Sequence, residues 1–299
     1  MTVSNPDDEL RSVLRSLEYS LKSESKSPHT IRQYTYTFSR YVGACGMKYD
    51  KATVVQYLSG LQAGMSEATV AHHFGGLKAV FKWLEEEGVI ESNPFALLKG
   101  SLRKPTVHET QKDVVPAEKM TEVLRWLDSQ KRYRDAAIVS LFWDTGMRVS
   151  ELCDITIDDV DFDDCLITLR QTKNGRIRVV PFGPSTARRM DRWVRNRTSR
   201  SPFFFTHVGG RTPGARMMRS GVLQMVKPVF ERLGMPGISP HDLRHTFATH
   251  FMEHPDARVD DLQTIAGWSD IKMAQRYTKQ RREARAFAAH KRLSPVERG

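Results

Sequence analysis

"CLITLRQTKNGRIRVVPF", residues 165–182, decides the fold class. Two alternating runs flank Asn174-Gly175, the dipeptide favoured in two-residue hairpin turns, so a pair of antiparallel strands is expected here. "FFFT" (203–206) reads as a short buried strand or extended segment. Elsewhere the apolar residues recur at helical spacing. The chain is therefore expected to be mainly α with a small antiparallel β-sheet.

Working outward toward the C-terminus, helices fit 184–197, 214–233, 240–253, 259–267 and 270–278, with a last amphipathic piece at 281–291. Toward the N-terminus, helices fit 117–128 and about 133–143, and "DTGMRVSELCDI" reads as a turn into a short helix. Before them, "KGSLRKPTVHETQKDVVP" (99–116) is polar, holds two prolines and has no apolar period, which is the pattern of a linker. The first quarter reads as a small helical bundle. Ser27-Pro28 is a helix start, followed by Ile31, Tyr34, Phe38 and Tyr41 at helical spacing up to Gly43. A short helix covers Ala52–Leu61. Ser66 caps the next, whose apolar face is Val70, Phe74, Leu77, Phe81 and Leu84 and which stops near Gly88. The expected organisation is a helical domain over 1–99, a linker over 100–115, and an α+β domain over 116–299.

Composition narrows the function classes. With 299 residues, 39% of them hydrophobic, the chain can bury two ordinary cores. No apolar run approaches the roughly 18 residues of a membrane span, and "MTVSNPDDELRSVL" lacks the basic start and apolar stretch of a secretory signal. Cys45, Cys153 and Cys165 are scattered, without C-x-x-C spacing, as suits a reducing cytoplasm. The net charge of +11 is uneven: residues 1–109 carry 13 Lys+Arg against 12 Asp+Glu, and residues 110–299 carry 33 against 23. Residues 170–219 alone hold 13 basic residues and one acid, Asp191. That field suits a polyanion, although a charge run is also what a solvated basic surface looks like. On the N-terminal helices, the polar faces carry His29, Thr30, Arg32 and Tyr34, and Thr69, His72, His73 and Lys78. Both could lie in a DNA groove or simply be wet.

Five scattered places need a joint explanation: Arg148 and Glu151 in "TGMRVSEL", Lys173 at the hairpin, His241 and Arg244 in "HDLRHTFATH", Trp268 after Gly267, and Tyr277. A phosphodiester substrate supplies one. Its transition state gathers negative charge on the non-bridging oxygens, which Arg148 and Arg244 could clamp with planar forks of donors. A tyrosine phenol can attack phosphorus and leave again, conserving the bond energy in a phosphotyrosine. With a solution pKa of about 10, only roughly 0.1% of a phenol is ionised at neutral pH, so a base such as His241 is wanted. Lys173 could protonate the departing 5′-oxygen. Trp268 offers one N–H and a large packing face, and Glu151, one turn from Arg148, could orient the set. Taken singly, each residue also fits an ordinary packing or surface role. "HDLRH" also resembles the zinc motif H-E-x-x-H. Asp242 is a shorter arm than Glu, however, and Arg244 puts a positive charge on the same turn, so no metal or other cofactor is expected.

Together these residues resemble the tyrosine recombinase, or phage integrase, family. The order Arg148, Lys173, His241-x-x-Arg244, Tyr277 matches its catalytic pattern, in the contexts "TGMRVSEL", "TKNGRIRVVP", "HDLRHTFAT" and "AGWSDIKMAQRYT". Trp268 stands where most members carry a second histidine; some active members use tryptophan there.

The resemblance implies a helical core-binding domain and an α+β catalytic domain that clamp double-stranded DNA at inverted-repeat core sites. Arg176 and Arg178 join the N-terminal polar residues as DNA-contact candidates. Tyr277 would form a 3′-phosphotyrosyl link and free a 5′-hydroxyl. Strand exchange would pass through a Holliday junction in a homotetramer on two DNA sites, without metal or ATP. The product would be integration or excision of a mobile element, with an accessory directionality or DNA-bending factor as a further expected partner. The tail "KQRREARAFAAHKRL" would dock on a neighbouring subunit. With only about 25 residues before the first expected helix, the layout is closer to the Xer and Cre recombinases than to lambda integrase, although Trp268 leans weakly away from Xer. Two rival readings remain: a type IB topoisomerase, and a catalytically silent DNA-binding regulator on the same fold.

Overall fold

The computed structural model describes residues 6–98, 114–170, 177–210, 212–278 and 290. It divides into two compact units, Met1–Thr110 and Gln111–Gly299.

The first unit is all helical: α1 (Pro6–Ser23), α2 (Pro28–Cys45), α3 (Lys51–Gly64) and α4 (Glu67–Glu86). Local chemistry sets the starts. Ser27 accepts the Thr30 backbone N–H with Pro28 in the first turn, Asp50 accepts that of Thr53, and Ser66 that of Thr69. Helix α1 was not expected from the sequence. Its Leu17 and Leu21 are nonetheless buried with Phe38, Tyr41, Leu58, Leu77, Phe81 and Leu84 in one core. The acidic first turn (Asp7, Asp8, Glu9) and the Leu10, Leu14, Leu17, Leu21 spacing explain why this segment is a helix.

The second unit opens with α5 (Ala117–Ser129), α6 (Tyr133–Thr145) and α7 (Val149–Asp154). A sheet follows, then α8 (Pro184–Asn196), α9 (Arg219–Glu231), α10 (Pro240–Glu253), α11 (Val259–Ala266) and α12 (Ile271–Gln275). Helix α6 is buried on nearly every side and packs against α5, α8 and α10, which accounts for its almost unbroken apolar sequence. The sheet has three strands where the sequence pattern promised two. Strand β2 (Leu166–Leu169) pairs antiparallel with β3 (Arg178–Pro181), from Leu166 opposite Pro181 to Leu169 opposite Arg178. The two-residue β1 (Val160–Asp161) adds to the other edge of β2. The Asn174-Gly175 turn lies outside the described residues.

Three expected elements differ in detail. Helix α9 starts at Arg219 rather than 214, because residues 215–217 bond to the 205–207 segment: His207 donates to Ala215 and Met217 to Phe205. "FFFT" forms only isolated bridges, Thr156 with Phe203 and Thr206 with Arg216, yet Phe204 and Phe205 are fully buried. The stretch expected as one helix over 270–278 is α12 followed by a 3₁₀ turn at Arg276–Thr278. No helix among the described residues is long and apolar enough to cross a membrane.

Candidate active site

Two left-handed glycines build the floor of the site. Gly146 ends α6 at φ +57° and Gly267 ends α11 at φ +64°. A side chain would be strained at either place and would also collide. A Cβ on Gly146 would sit 2.1 Å from the Phe247 ring, and one on Gly267 2.7 Å from the Arg178 guanidinium. These helix ends present carbonyls that carry partial negative charge and lack partners within their helices.

The two arginines of the sequence pattern take those carbonyls. Arg244, on the first turns of α10, is 6% exposed. It donates through Nη1 to the Gly146 carbonyl and through Nη2 to the Ala266 carbonyl, the latter at 2.8 Å. Burial, and next the charge of Arg148, push its guanidinium down to about 10, so it stays cationic at neutral pH. Arg148 is the N-cap of α7 and donates through Nη2 to the Gly267 carbonyl at 3.0 Å.

Glu151 is buried beneath Arg148. Its carboxylate accepts the Arg148 backbone N–H at 2.7 Å and Arg148 Nη1 at 2.8 Å. It also accepts both Nη atoms of Arg178, at 2.7 and 2.9 Å. Burial alone would raise this carboxyl, but the bonds from Arg178 and Arg148 hold it below the ordinary carboxylate value. Arg178 therefore needs correcting as a DNA-contact candidate. Its side chain is 14% exposed, forked onto Glu151 and covered by Gly267.

Above this network, the Arg244 guanidinium lies 5.1 Å over the Trp268 ring. Trp268 in turn stacks on Tyr277, with ring centroids 5.6 Å apart and planes 7° from parallel. Stacked aromatic pairs and cation–π contacts each contribute about 1 kcal/mol, enough to fix the plane of the phenol. Trp268 and Tyr277 both pack on a small core of Phe247, Ala248, Leu262, Ala266 and Ala274. The histidine bonded to the phenol is not the one the sequence suggested. His245 Nδ1 lies 3.1 Å from Tyr277 Oη, whereas His241 is exposed on the first turn of α10. The sequence offers one signal for His245, its place four residues after His241 on one helix face, which on paper reads as a zinc pattern. Among the described residues, no group of three or more His, Cys, Asp or Glu is arranged to hold a metal ion. The structure thus gathers Arg148, Glu151, Arg244, Trp268 and Tyr277. Lys173 and Arg176 lie outside the described residues, as does the 281–289 part of the tail.

The basic stretch 170–219 is less free than its composition implies. Arg170 pairs with Asp159, Arg189 and Arg192 with Asp128, Arg195 with Asp191 and Arg216 with Asp154.

In the first unit, five of the eight polar candidates (His29, Arg32, Thr69, His72 and His73) line one groove of about 830 Å3 between α2 and α4, with Tyr36 and Arg40. Two candidates turn inward. His73 is 5% exposed, and its pKa is lowered by burial. Tyr34 packs against the bundle core. The Thr30 hydroxyl bonds Ser27 at the helix cap. Lys78 is exposed on α4.

The sequence pattern of the Phage integrase family matches residues 113–284. The chain is 31% identical over 269 residues to tyrosine recombinase XerA of Pyrococcus furiosus, covering 89% of each. It is 29% identical over 274 residues to tyrosine recombinase XerC of Pseudomonas fluorescens, covering 86% of this chain and 88% of that one. Its fold superposes on the Tn1549 transposon integrase solved with transposon right end DNA, with a TM-score of 0.72 at 22% identity, over 94% of this chain and 99% of that chain. On the family pattern and the full-length relatives, the chain belongs to the phage integrase family and is a tyrosine-type site-specific recombinase.

Proposed function

We propose that this recombinase cuts and rejoins double-stranded DNA with Tyr277 as nucleophile and Arg148 and Arg244 as the phosphate clamp. The observation that carries the reading is the continuous stack of Arg244 over Trp268 and Trp268 on Tyr277. It holds a phenol beside a buried guanidinium that stays charged. A guanidinium has five N–H donors. On each arginine, protein partners anchor part of the fork, and the remaining donors are preorganised for a phosphate, where such donors supply the largest rate term. Glu151 acts as a positioning residue that holds Arg148. Tyr277 Oη gives its proton to a base, the role expected of His241, and forms a bond to phosphorus while the bond to the 5′-oxygen breaks, and Lys173 gives that oxygen its proton. A 5′-hydroxyl of the partner duplex then reverses the step, and no metal or cofactor is required.

In this reading the helical unit, about residues 1–99, is the core-binding domain, and the α2–α4 groove with His29, Arg32, Thr69 and His72 faces the DNA. The segment 100–115 links it to the catalytic domain from 116 onward. The working assembly is a homotetramer on two core sites, DNA-associated in the cytoplasm, and its substrate is a mobile element. The DNA complex solved for the Tn1549 integrase supports the choice of ligand.

Two substitutions test the roles. Tyr277→Phe retains specific DNA binding and loses all strand cleavage; residual cleavage would remove Tyr277 from the nucleophile role. Lys173→Ala slows cleavage by about 10²-fold or more, the usual worth of a general acid. A 5′-bridging phosphorothioate restores the rate, since sulfur leaves without a proton. Absence of rescue would remove Lys173 from the acid role.

A further inference from the structure

Arg148 is the more exposed arm of the phosphate clamp, and a buried carboxylate lies directly behind it. That carboxylate, Glu151, poses a problem. Alone with Arg148 it would offset the guanidinium's charge and compete with a phosphate for its fork. Arg178 answers this. It brings a second guanidinium to the same carboxylate, through Nη1 at 2.7 Å and Nη2 at 2.9 Å. Three guanidiniums (Arg148, Arg178 and Arg244) against one carboxylate leave the cluster doubly positive; without Arg178 it would be singly positive. The other arm of the clamp feels this charge. Burial acts first on the Arg244 guanidinium, then the charge of Arg148, then Glu151 in the opposite sense, then Arg178. The strand fixes where Arg178 stands. It opens β3 opposite Leu169 of β2 and shares an inward face with the fully buried Val180. Its guanidinium lies against Gly267, where a Cβ would come within 2.7 Å of it. Gly267 is also the residue whose carbonyl takes Arg148 Nη2. Arg178 therefore touches both groups that hold Arg148: the carboxylate that takes Nη1 and the glycine that takes Nη2.

We propose that Arg178 is a positioning residue for strand cleavage: acting through Glu151, it aims the Arg148 fork at the scissile phosphate and keeps that fork's charge available to it. The inference rests on reading Arg148 as part of the phosphate clamp. Each oxygen of Glu151 accepts one bond from each arginine. Oε1 takes Arg148 Nη1 and Arg178 Nη1, and Oε2 takes the Arg148 backbone N–H and Arg178 Nη2. Held from two sides, the carboxylate cannot turn, and its charge is shared between two cations. Without Arg178 it would turn with Arg148 and bind it in place of the phosphate. Arg178 itself, 14% exposed and covered by Gly267, meets no phosphate in this scheme. A lysine could supply the charge but not the planar fork.

The test is single-turnover cleavage of a nicked suicide duplex carrying the sequence that the full-length protein itself selects from a random pool. Two substrates are compared. One has the natural phosphodiester at the scissile position. The other has a methylphosphonate there, in which a methyl group replaces one non-bridging oxygen and removes the charge that the clamp meets. The ratio of the two rates is taken within one protein preparation, so it does not depend on the fraction folded, and a poorly folding variant still tests the proposal. Arg178→Met should cleave the phosphodiester about 10²-fold more slowly, the low end of what losing one transition-state donor costs. Its preference for phosphodiester over methylphosphonate should fall by about tenfold or more. Adding Glu151→Gln removes the uncompensated negative charge, while the glutamine carbonyl still accepts from Arg148. The double variant should regain about tenfold of the lost rate and part of the lost preference. A merely structural role leaves the substrate ratio at the parent's value in both variants. A parental ratio in Arg178→Met, or no recovery in the double variant, overturns the proposal. Arg148→Ala separates this inference from the reading beneath it. If Arg148→Ala keeps the parent's rate and ratio, the clamp reading fails. If it loses both while Arg178→Met keeps them, only the role of Arg178 fails.

Discussion

At position 151, one buried carboxylate pairs with two guanidiniums, Arg148 and Arg178, and also caps the helix that carries the first of them. Glu151→Gln leaves the Arg178 fork buried without its counter-charge. The expected cost is about 3–5 kcal/mol, the usual penalty for breaking one side of a buried pair. The pH dependence has a defined sign. The folded protein holds this carboxyl below its ordinary value of 4.5. Its contribution to stability is therefore complete above that value and is lost as pH falls through the lower folded value. Thermal melts from pH 7 to pH 3 should show the gap between parent and Glu151→Gln closing in acid; a gap that widens in acid would contradict the assignment. At this scale the sequence marks by residue type a set, Arg148, Arg244, Trp268 and Tyr277, that the fold does bring together. It was opaque where two residues share a type and only geometry separates them. Arg178 and Arg176 look alike on paper, yet Arg178 is forked onto Glu151. His245 and His241 share a helix face, yet His245 is the one bonded to the phenol.

Helices α2 and α4 begin where a serine takes over an orphan backbone N–H, and those starts could be read directly; α5, α6, α8 and α11 have no such side-chain bond and were read from their sequence pattern. Ser66→Ala removes the acceptor of the Thr69 N–H. It should cost about 1 kcal/mol, seen as a lower urea midpoint with an unchanged slope; a null effect would mean that water caps α4 equally well. Helix α1 and strand β1 were missed for other reasons. The apolar stripe of helix α1 shows its purpose only where Leu17 and Leu21 enter the core of the bundle. Strand β1 is two residues long, too short for any period, and exists because β2 offers it an edge. The start of α9 is set by bonds to a segment about ten residues away in sequence, which local propensity cannot report.

For the whole molecule, the charge asymmetry is real but partly spent internally, since six arginines of the 170–219 stretch are committed to acidic partners in the folded protein. Binding to a DNA duplex should still be electrostatic in large part. Log affinity should fall linearly with log salt concentration, with a slope of about −0.9 per phosphate neutralised; affinity flat between low and moderate salt would contradict a phosphate-dominated interface. The central claim is that a phenol held by Trp268 beside two anchored arginines is the group that attacks. The most direct measurement incubates the full-length protein with a nicked suicide duplex bearing its selected site, in EDTA, then denatures the mixture and maps the linked peptide by mass spectrometry. A denaturation-resistant protein–DNA adduct on Tyr277 is the predicted result. An adduct on another residue, or specific binding with no adduct at all, would contradict it.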